Sequence, residues 1–186
     1  MDLFKEFDSW LDEQERVQRK SKKHFIGCRG YGHFDSKIGI KRCRKNKKLR
    51  QEVCNPLVLK RHKFWPFIRQ DQKTRRYIRD IEKKLKIRVK IRKIMYASHA
   101  DAIILSFYAS LLKKNYEEII NGTPAYESVI GYRRIPLNKY RNKSNIDFSN
   151  DVFKVIRTAN DSVLFCIDIK DFFGNIEHRN LHNSVM

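Results

Sequence analysis

The apolar positions of this chain change period several times, and each change predicts an element. Over residues 2–19, DLFKEFDSWLDEQERVQR, the residues Leu3, Phe4, Phe7, Trp10, Leu11 and Val17 recur at helical spacing. That spacing puts them on one stripe of an amphipathic helix, whose apolar face should dock on the body of the protein. Gly27, Gly30, Gly32 and Gly39 follow within thirteen residues, so 24–40 reads as loop or short strands. Pro56 and Pro66 bracket LVLKRHKFW, which reads as extended or turning. Residues 70–84 read as helix.

From 86 to 93, KIRVKIRK, the alternation is strict. Lys86, Arg88, Lys90 and Arg92 face one way and Ile87, Val89 and Ile91 the other, the period of a half-buried strand. Ser98 and Asp101 stand at capping-box spacing, with Asp in place of the usual Glu or Gln. A strongly apolar helix should run from there to about Ile120, largely buried, and NGTP at 121–124 should end it. ESVIGYRRI (127–135) reads as a strand, PLNKYRNKSN (136–145) as a basic loop, and IDFSNDVFKVIRTA (146–159) as a helix with Ile146, Phe148, Val152, Phe153 and Ile156 inward. DSVLFCID (161–168) reads as a buried strand, and a last helix begins near His178. Strand and helix alternate from 86 onward, which is an α/β or α+β pattern.

Charge narrows the function. The 186 residues carry 41 Lys and Arg against 21 Asp and Glu, a formal net charge of +20. Such an excess points to a polyanionic partner, most often nucleic acid. The cations concentrate in two places. Lys37 to Arg50 holds eight basic residues and no acid, a solvated face or a phosphate-contacting one. The second place is the row Lys86, Arg88, Lys90 and Arg92, where like charges on one strand face repel unless a polyanion lies across them. A merely solvated strand face is the competing reading.

Other classes are disfavoured. No apolar run approaches the ~20 residues of a membrane span, and MDLFKE has no signal-peptide or myristoylation layout. A cytoplasmic protein without a membrane partner is expected. His24, Cys28, His33, Cys43, Cys54 and His62 include zinc-ligating types, but no Cys-x-x-Cys pair anchors them. Loop residues and small buried thiols are the expectation there. The spacing of GCRGYG is wrong for a nucleotide-binding fingerprint.

The stretch VLFCIDIKDFFGNIEH (163–178) poses the chemical question, because it delivers Asp168 at the end of an apolar strand. A carboxylate in that position costs free energy unless paired. A divalent ion is one partner, and a turn or helix cap is another. Asp168-Ile169-Lys170-Asp171-Phe172-Phe173-Gly174-Asn175-Ile176-Glu177-His178 resembles the first catalytic motif of reverse transcriptases, in the version of group II intron, retron and defence-associated bacterial enzymes. IMYASHADAIILSFYASLL (94–112), SVIGYRRIP (128–136) and KSNIDFSNDVF (143–153) are similar to the fingers of the abortive-infection branch.

The resemblance implies an α+β fold, part of the fingers and palm of a right-hand polymerase. It implies an N-terminal helix and basic extension over 1–63, fingers over 64–160 and the start of the palm over 161–186. It implies RNA-directed DNA synthesis on a template-primer with dNTP and Mg²⁺ or Mn²⁺, in a branch acting in antiviral defence. Asp168 would be the catalytic metal ligand, joined by the carbonyl of Ile169. Asp171 and Phe172 would lie under the triphosphate, and Phe173 would be the sugar gate. Arg133, Arg134, Lys139, Arg141 and Lys143 would be the candidate phosphate cations. The later Tyr/Phe-x-Asp-Asp motif is missing, so a front portion of such an enzyme is expected, inactive by itself. A non-enzymatic nucleic-acid-binding protein is the alternative.

Overall fold

A computed structural model describes residues 2–21, 24–79, 85–159, 163–169 and 172–185, with backbone alone for Ser21, Phe173, Ser184 and Val185. The fold is mixed α+β: α1 (Leu3–Ser21), α2 (Ile40–Lys45), α3 (Lys47–Cys54), α4 (Pro56–Leu59), β1 (Ile68–Arg79), β2 (Leu85–Tyr96), α5 (His99–Ile120), α6 (Asn145–Thr158) and α7 (His178–Val185). The chain divides into two units, 1–126 and 127–186. Among the described residues no helix is long and apolar enough to cross a membrane.

The first unit owns the core. The stripe of α1 buries Phe7, Trp10 and Leu11. Phe7 and Trp10 stack at 5.6 Å, and Phe107 of α5 meets Phe7 edge-on at 5.2 Å. Such offset and edge geometries add to the area term of aromatic burial. Leu49, Val53 and Cys54 of α3 close the other side, and Tyr108 Oη donates to the Val53 carbonyl at 2.9 Å. Most of the basic run 37–50 is thus helical, in α2 and α3. Ile40, Cys43, Leu49 and Val53 face inward while the cations ring them. Two of those cations dock on α1: Arg50 on Asp8 and Arg44 on Asp12.

Gly27 is required by its neighbours. A Cβ there would lie 2.4 Å from the Ile38 carbonyl oxygen and 2.7 Å from Ile103 Cδ1. The backbone approaches this closely because Ile38 N–H donates to the Gly27 carbonyl at 2.7 Å. Gly30 and Gly32 face open space.

Several expectations are overturned. Residues 68–79 form β1, where a helix was expected over 70–84; residues 80–84 lie outside the described residues. β1 has no apolar alternation of its own, and its conformation comes from twelve residues of antiparallel pairing with β2. β2 is a strand as its period predicts, but it is not half-buried. Ile87, Val89 and Ile91 are 58%, 50% and 52% exposed, because among the described residues no layer packs on that face of the two-stranded sheet. The helix α5 is buried at Ile103, Ile104, Phe107 and Ile120 but exposed at Leu112 and Ile119.

In the second unit, α6 and α7 form where expected, yet Ile146, Val152 and Phe153 of α6 are exposed. Residues 127–135 make turns and no strand. Tyr132 takes φ 59° in the left-handed region, which interrupts an extended run. The expected strand 161–168 is likewise not formed in its described part. Among the described residues, 163–169 have no ladder partner and are exposed throughout, Ile167 to 90%. A strand requires a partner for its backbone groups as well as apolar side chains.

Candidate nucleic-acid interface

The hairpin β1–β2 collects the cations that period-two reading singled out. Its register sets Gln72 opposite Arg92, Thr74 opposite Lys90, Arg76 opposite Arg88 and Ile78 opposite Lys86. Directly opposed residues share a face. One face therefore carries Arg76, Lys86, Arg88, Lys90 and Arg92 and, among the described residues, no acid. Cations on alternate residues of a strand stand about 6.6–6.8 Å apart.

The opposite face mixes Arg69, Lys73, Arg75 and Arg79 with Tyr77, Leu85, Ile87, Val89 and Ile91. Its acid, Asp71, is gripped by Arg69 through two hydrogen bonds of 2.8 and 2.9 Å. Those bonds hold the Asp71 carboxyl below its usual range. Asp71 thus neutralises its own neighbour on the opposite face, and the five-cation face holds no acid among the described residues. The base of the hairpin is fixed by Tyr96, which stacks on Tyr31 at 4.5 Å; Tyr31 in turn lies flat on His99 at 5.1 Å.

A second basic feature went unpredicted. Lys48, Arg61 and Lys63 rim an open cavity of about 760 Å³ with Leu57, Val58 and Trp65 in its wall and Asp101 among its lining. Asp101 is buried. Its Oδ1 lies 2.7 Å from His62 Nε2, and its Oδ2 accepts the Trp65 N–H at 2.9 Å. The spacing Ser98/Asp101 is half of a capping box. Ser98 Oγ does accept the Asp101 N–H at 3.0 Å, but the Asp101 carboxylate turns to the 62–65 loop. Beside it, Asp35 accepts from the His99 ring at 2.9 Å and the Ala100 N–H at 3.0 Å. Burial raises the Asp35 carboxyl, but these hydrogen bonds outweigh it and leave it below the usual range.

The other predicted site residues are not assembled into one centre. Asp168 and Ile169 lie in the exposed 163–169 segment, and Phe172 begins a short 3-10 turn, Phe172–Asn175, half exposed. Asp171 and the Phe173 side chain lie outside the described residues. Among the described residues no group of three or more His, Cys, Asp or Glu side chains is placed to hold a metal ion. One carboxylate and one carbonyl do not make a Mg²⁺ site, which needs a fuller oxygen shell.

Of the cations that the resemblance singles out for phosphate contact, Arg141 is bidentate on Asp147 at 2.9 and 3.1 Å, and Lys143 is on Asp151 at 2.8 Å. Arg133 donates to the Val129 carbonyl, and Arg134 is exposed. Asp147 is held well below the carboxylate range, first by the Ser144 N–H and then by Arg141. Arg141 and Lys143 thus order the entry to α6.

Of the cysteines and histidines of 24–62, Cys43, Cys54, His33 and His62 are tied into the fold. Cys43 and Cys54 are buried, and burial pushes their thiols up to about 12 and about 11. His62 bonds Asp101, and His33 Nε2 meets the Pro66 carbonyl oxygen at 3.2 Å. No protein-family model matches this chain, and no curated protein matches it significantly.

Proposed function

We propose that this protein binds nucleic acid through the β1–β2 hairpin, as a member of the reverse-transcriptase family. The observation that carries the binding is the face Arg76, Lys86, Arg88, Lys90 and Arg92, exposed and without an acid among its described residues. Arg76 directly opposite Arg88 is an unfavourable pair in isolation. A phosphate backbone laid along the face turns that repulsion into attraction, with release of counterions.

Anisotropy titration across a salt series tests this. Each neutralised phosphate contributes about 0.7–0.9 to the log–log slope. Replacing Arg76, Arg88, Lys90 and Arg92 by Ser should therefore flatten the slope by about 3. The same change at Lys5, Arg16, Lys20 and Lys114, all exposed, should flatten it less. Equal effects would leave the hairpin face merely solvated.

The family reading rests on the motif Asp168–His178 and the fingers-like segments upstream of it. On this reading the class of reaction is template-directed nucleotidyl transfer, and Asp168 is one contributor to a site whose other carboxylates lie outside the described residues. In a polypeptide that carries them, Asp168→Asn should abolish primer extension with Mg²⁺ or Mn²⁺. Retained extension would remove the role of Asp168 without touching the binding reading.

A further inference from the structure

Several aromatic side chains of the first unit are exposed, and three of them lie at or beside the loop that leads into β1. Trp65 is 51% exposed, Phe34 76% and Phe64 49%. Phe34 and Trp65 face each other with ring centroids 6.3 Å apart, and Phe64 sits edge-on to His62 at 4.7 Å. Trp65 belongs to the wall of the cavity rimmed by Lys48, Arg61 and Lys63. At about 760 Å³ the cavity is within the range of small-ligand pockets.

The loop that carries Trp65 lies outside any regular element, yet it is held from below. Asp101, 1% exposed, accepts the Trp65 N–H and bonds His62, and His33 meets the Pro66 carbonyl oxygen. Both oxygens of this buried carboxylate are hydrogen-bonded, so it is satisfied where it lies and fixes the position of the loop that carries Trp65. Glu52 is the other acid in the cavity wall, and three rim cations outnumber it.

We propose that this cavity, together with the Phe34 ring beside its Trp65 wall, seats unpaired bases of a single-stranded nucleic acid, with Trp65 and Phe34 as a platform stacking on the bases and Lys48, Arg61 and Lys63 on the adjoining phosphates. Base faces are available to an aromatic ring only where the strand is unstacked, so the platform selects single strands over duplex. Stacking is tolerant of sequence because every base has a π-face. Charge complementarity argues for this occupant over an apolar protein segment, which would leave the three rim cations unpaired. The platform precedes the cationic hairpin directly in the chain, with Pro66 and Phe67 between Trp65 and Ile68. The inference rests on the nucleic-acid reading and adds the class of substrate.

The two tryptophans of the chain make the test direct, since Trp10 is buried and Trp65 is half-exposed. Tryptophan emission is followed while the protein is titrated with oligo(dT), oligo(rU), an abasic oligonucleotide of equal length, and a duplex. Quenching by either single strand, absent with the abasic strand and absent in Trp65→Phe when the quench is normalised to bound ligand, is the expected result. Trp65→Ala and Phe34→Ala should each weaken oligo(dT) or oligo(rU) binding by about tenfold or more while leaving abasic binding unchanged. Whether dT or rU quenches more strongly separates a DNA ligand from an RNA one.

Equal affinity for abasic and natural strands overturns the inference and leaves the hairpin reading standing. Equal loss of both in Trp65→Ala, with a lowered melting temperature, also overturns it, by making Trp65 a structural residue only. Phe34→Ala supplies the independent arm, because no hydrogen bond anchors the loop through it. Failure of every nucleic acid to bind overturns both readings. A blue shift of Trp65 on phosphatidylserine vesicles, with no response to oligonucleotides, assigns the patch to a membrane surface and overturns them as well.

Discussion

Asp101 and His62 meet at 2.7 Å across the junction between α5 and the loop that leads into β1. The same carboxylate accepts the Trp65 N–H, so one buried group ties the end of the core to the start of the basic hairpin. Asp101→Ala should cost about 2–4 kcal/mol of unfolding free energy, since it strands a buried N–H and an imidazole. Asp101→Asn should cost less, because the amide oxygen still accepts from Trp65. Urea unfolding of both variants checks the order, and equal costs would contradict it.

Gly27→Ala should destabilise by about 1–3 kcal/mol, the range for forcing a methyl group into a packed interior. The contact is with the Ile38 backbone oxygen, which cannot rotate aside. Gly30→Ala and Gly32→Ala meet nothing within 4 Å and should be near neutral. A melting curve of Gly27→Ala that overlays the wild type would refute the close approach.

Acid should remove a defined part of the stability. Arg50 holds the Asp8 carboxyl below its usual range, and the His99 and Ala100 hydrogen bonds do the same for Asp35 against its burial. A depressed folded value means that the stabilisation is complete above the unfolded value, about 3.9. It is lost as pH falls from there through the lower folded values. Asp35→Asn should flatten the fall in melting temperature below about pH 4. A fall as steep as that of the wild type would mean that these bonds do not discriminate the charged form.

Thiol labelling should divide the four cysteines. Cys43 and Cys54 are buried with raised thiols, Cys28 is half-buried, and Cys166 is exposed. Iodoacetamide at neutral pH should modify Cys166 first and Cys43 and Cys54 only on unfolding, because the thiolate is the reacting species. Mass spectrometry of the native protein reads this out. Protection of Cys166 would mean that residues 163–169 are covered in solution.

Much of the helical framework was legible in the chain. Leu3, Phe7, Trp10 and Leu11 mark α1, Ser98 marks the start of α5, and the apolar period from Ile146 marks α6, because helices close their hydrogen bonds locally and their signals are local too. The alternation of β2 was equally plain. What tertiary structure alone decided is the pairing. β1 became a strand because β2 offered its backbone, and its mostly polar and charged residues carried no period of their own. Residues 163–169 have the apolar run of a strand and no ladder among the described residues, so the run is not enough. The interface divides in the same way. Lys86, Arg88, Lys90 and Arg92 could be placed on one face from their spacing, but Arg76 joins them only through the register of the hairpin. The cavity beside Trp65 was invisible in sequence, since its lining comes from distant parts of the chain and Asp101, whose local spacing suggested a helix cap, turns instead to His62 and Trp65. Local periodicity reports which face a residue occupies; what that face meets is decided by groups distant along the chain.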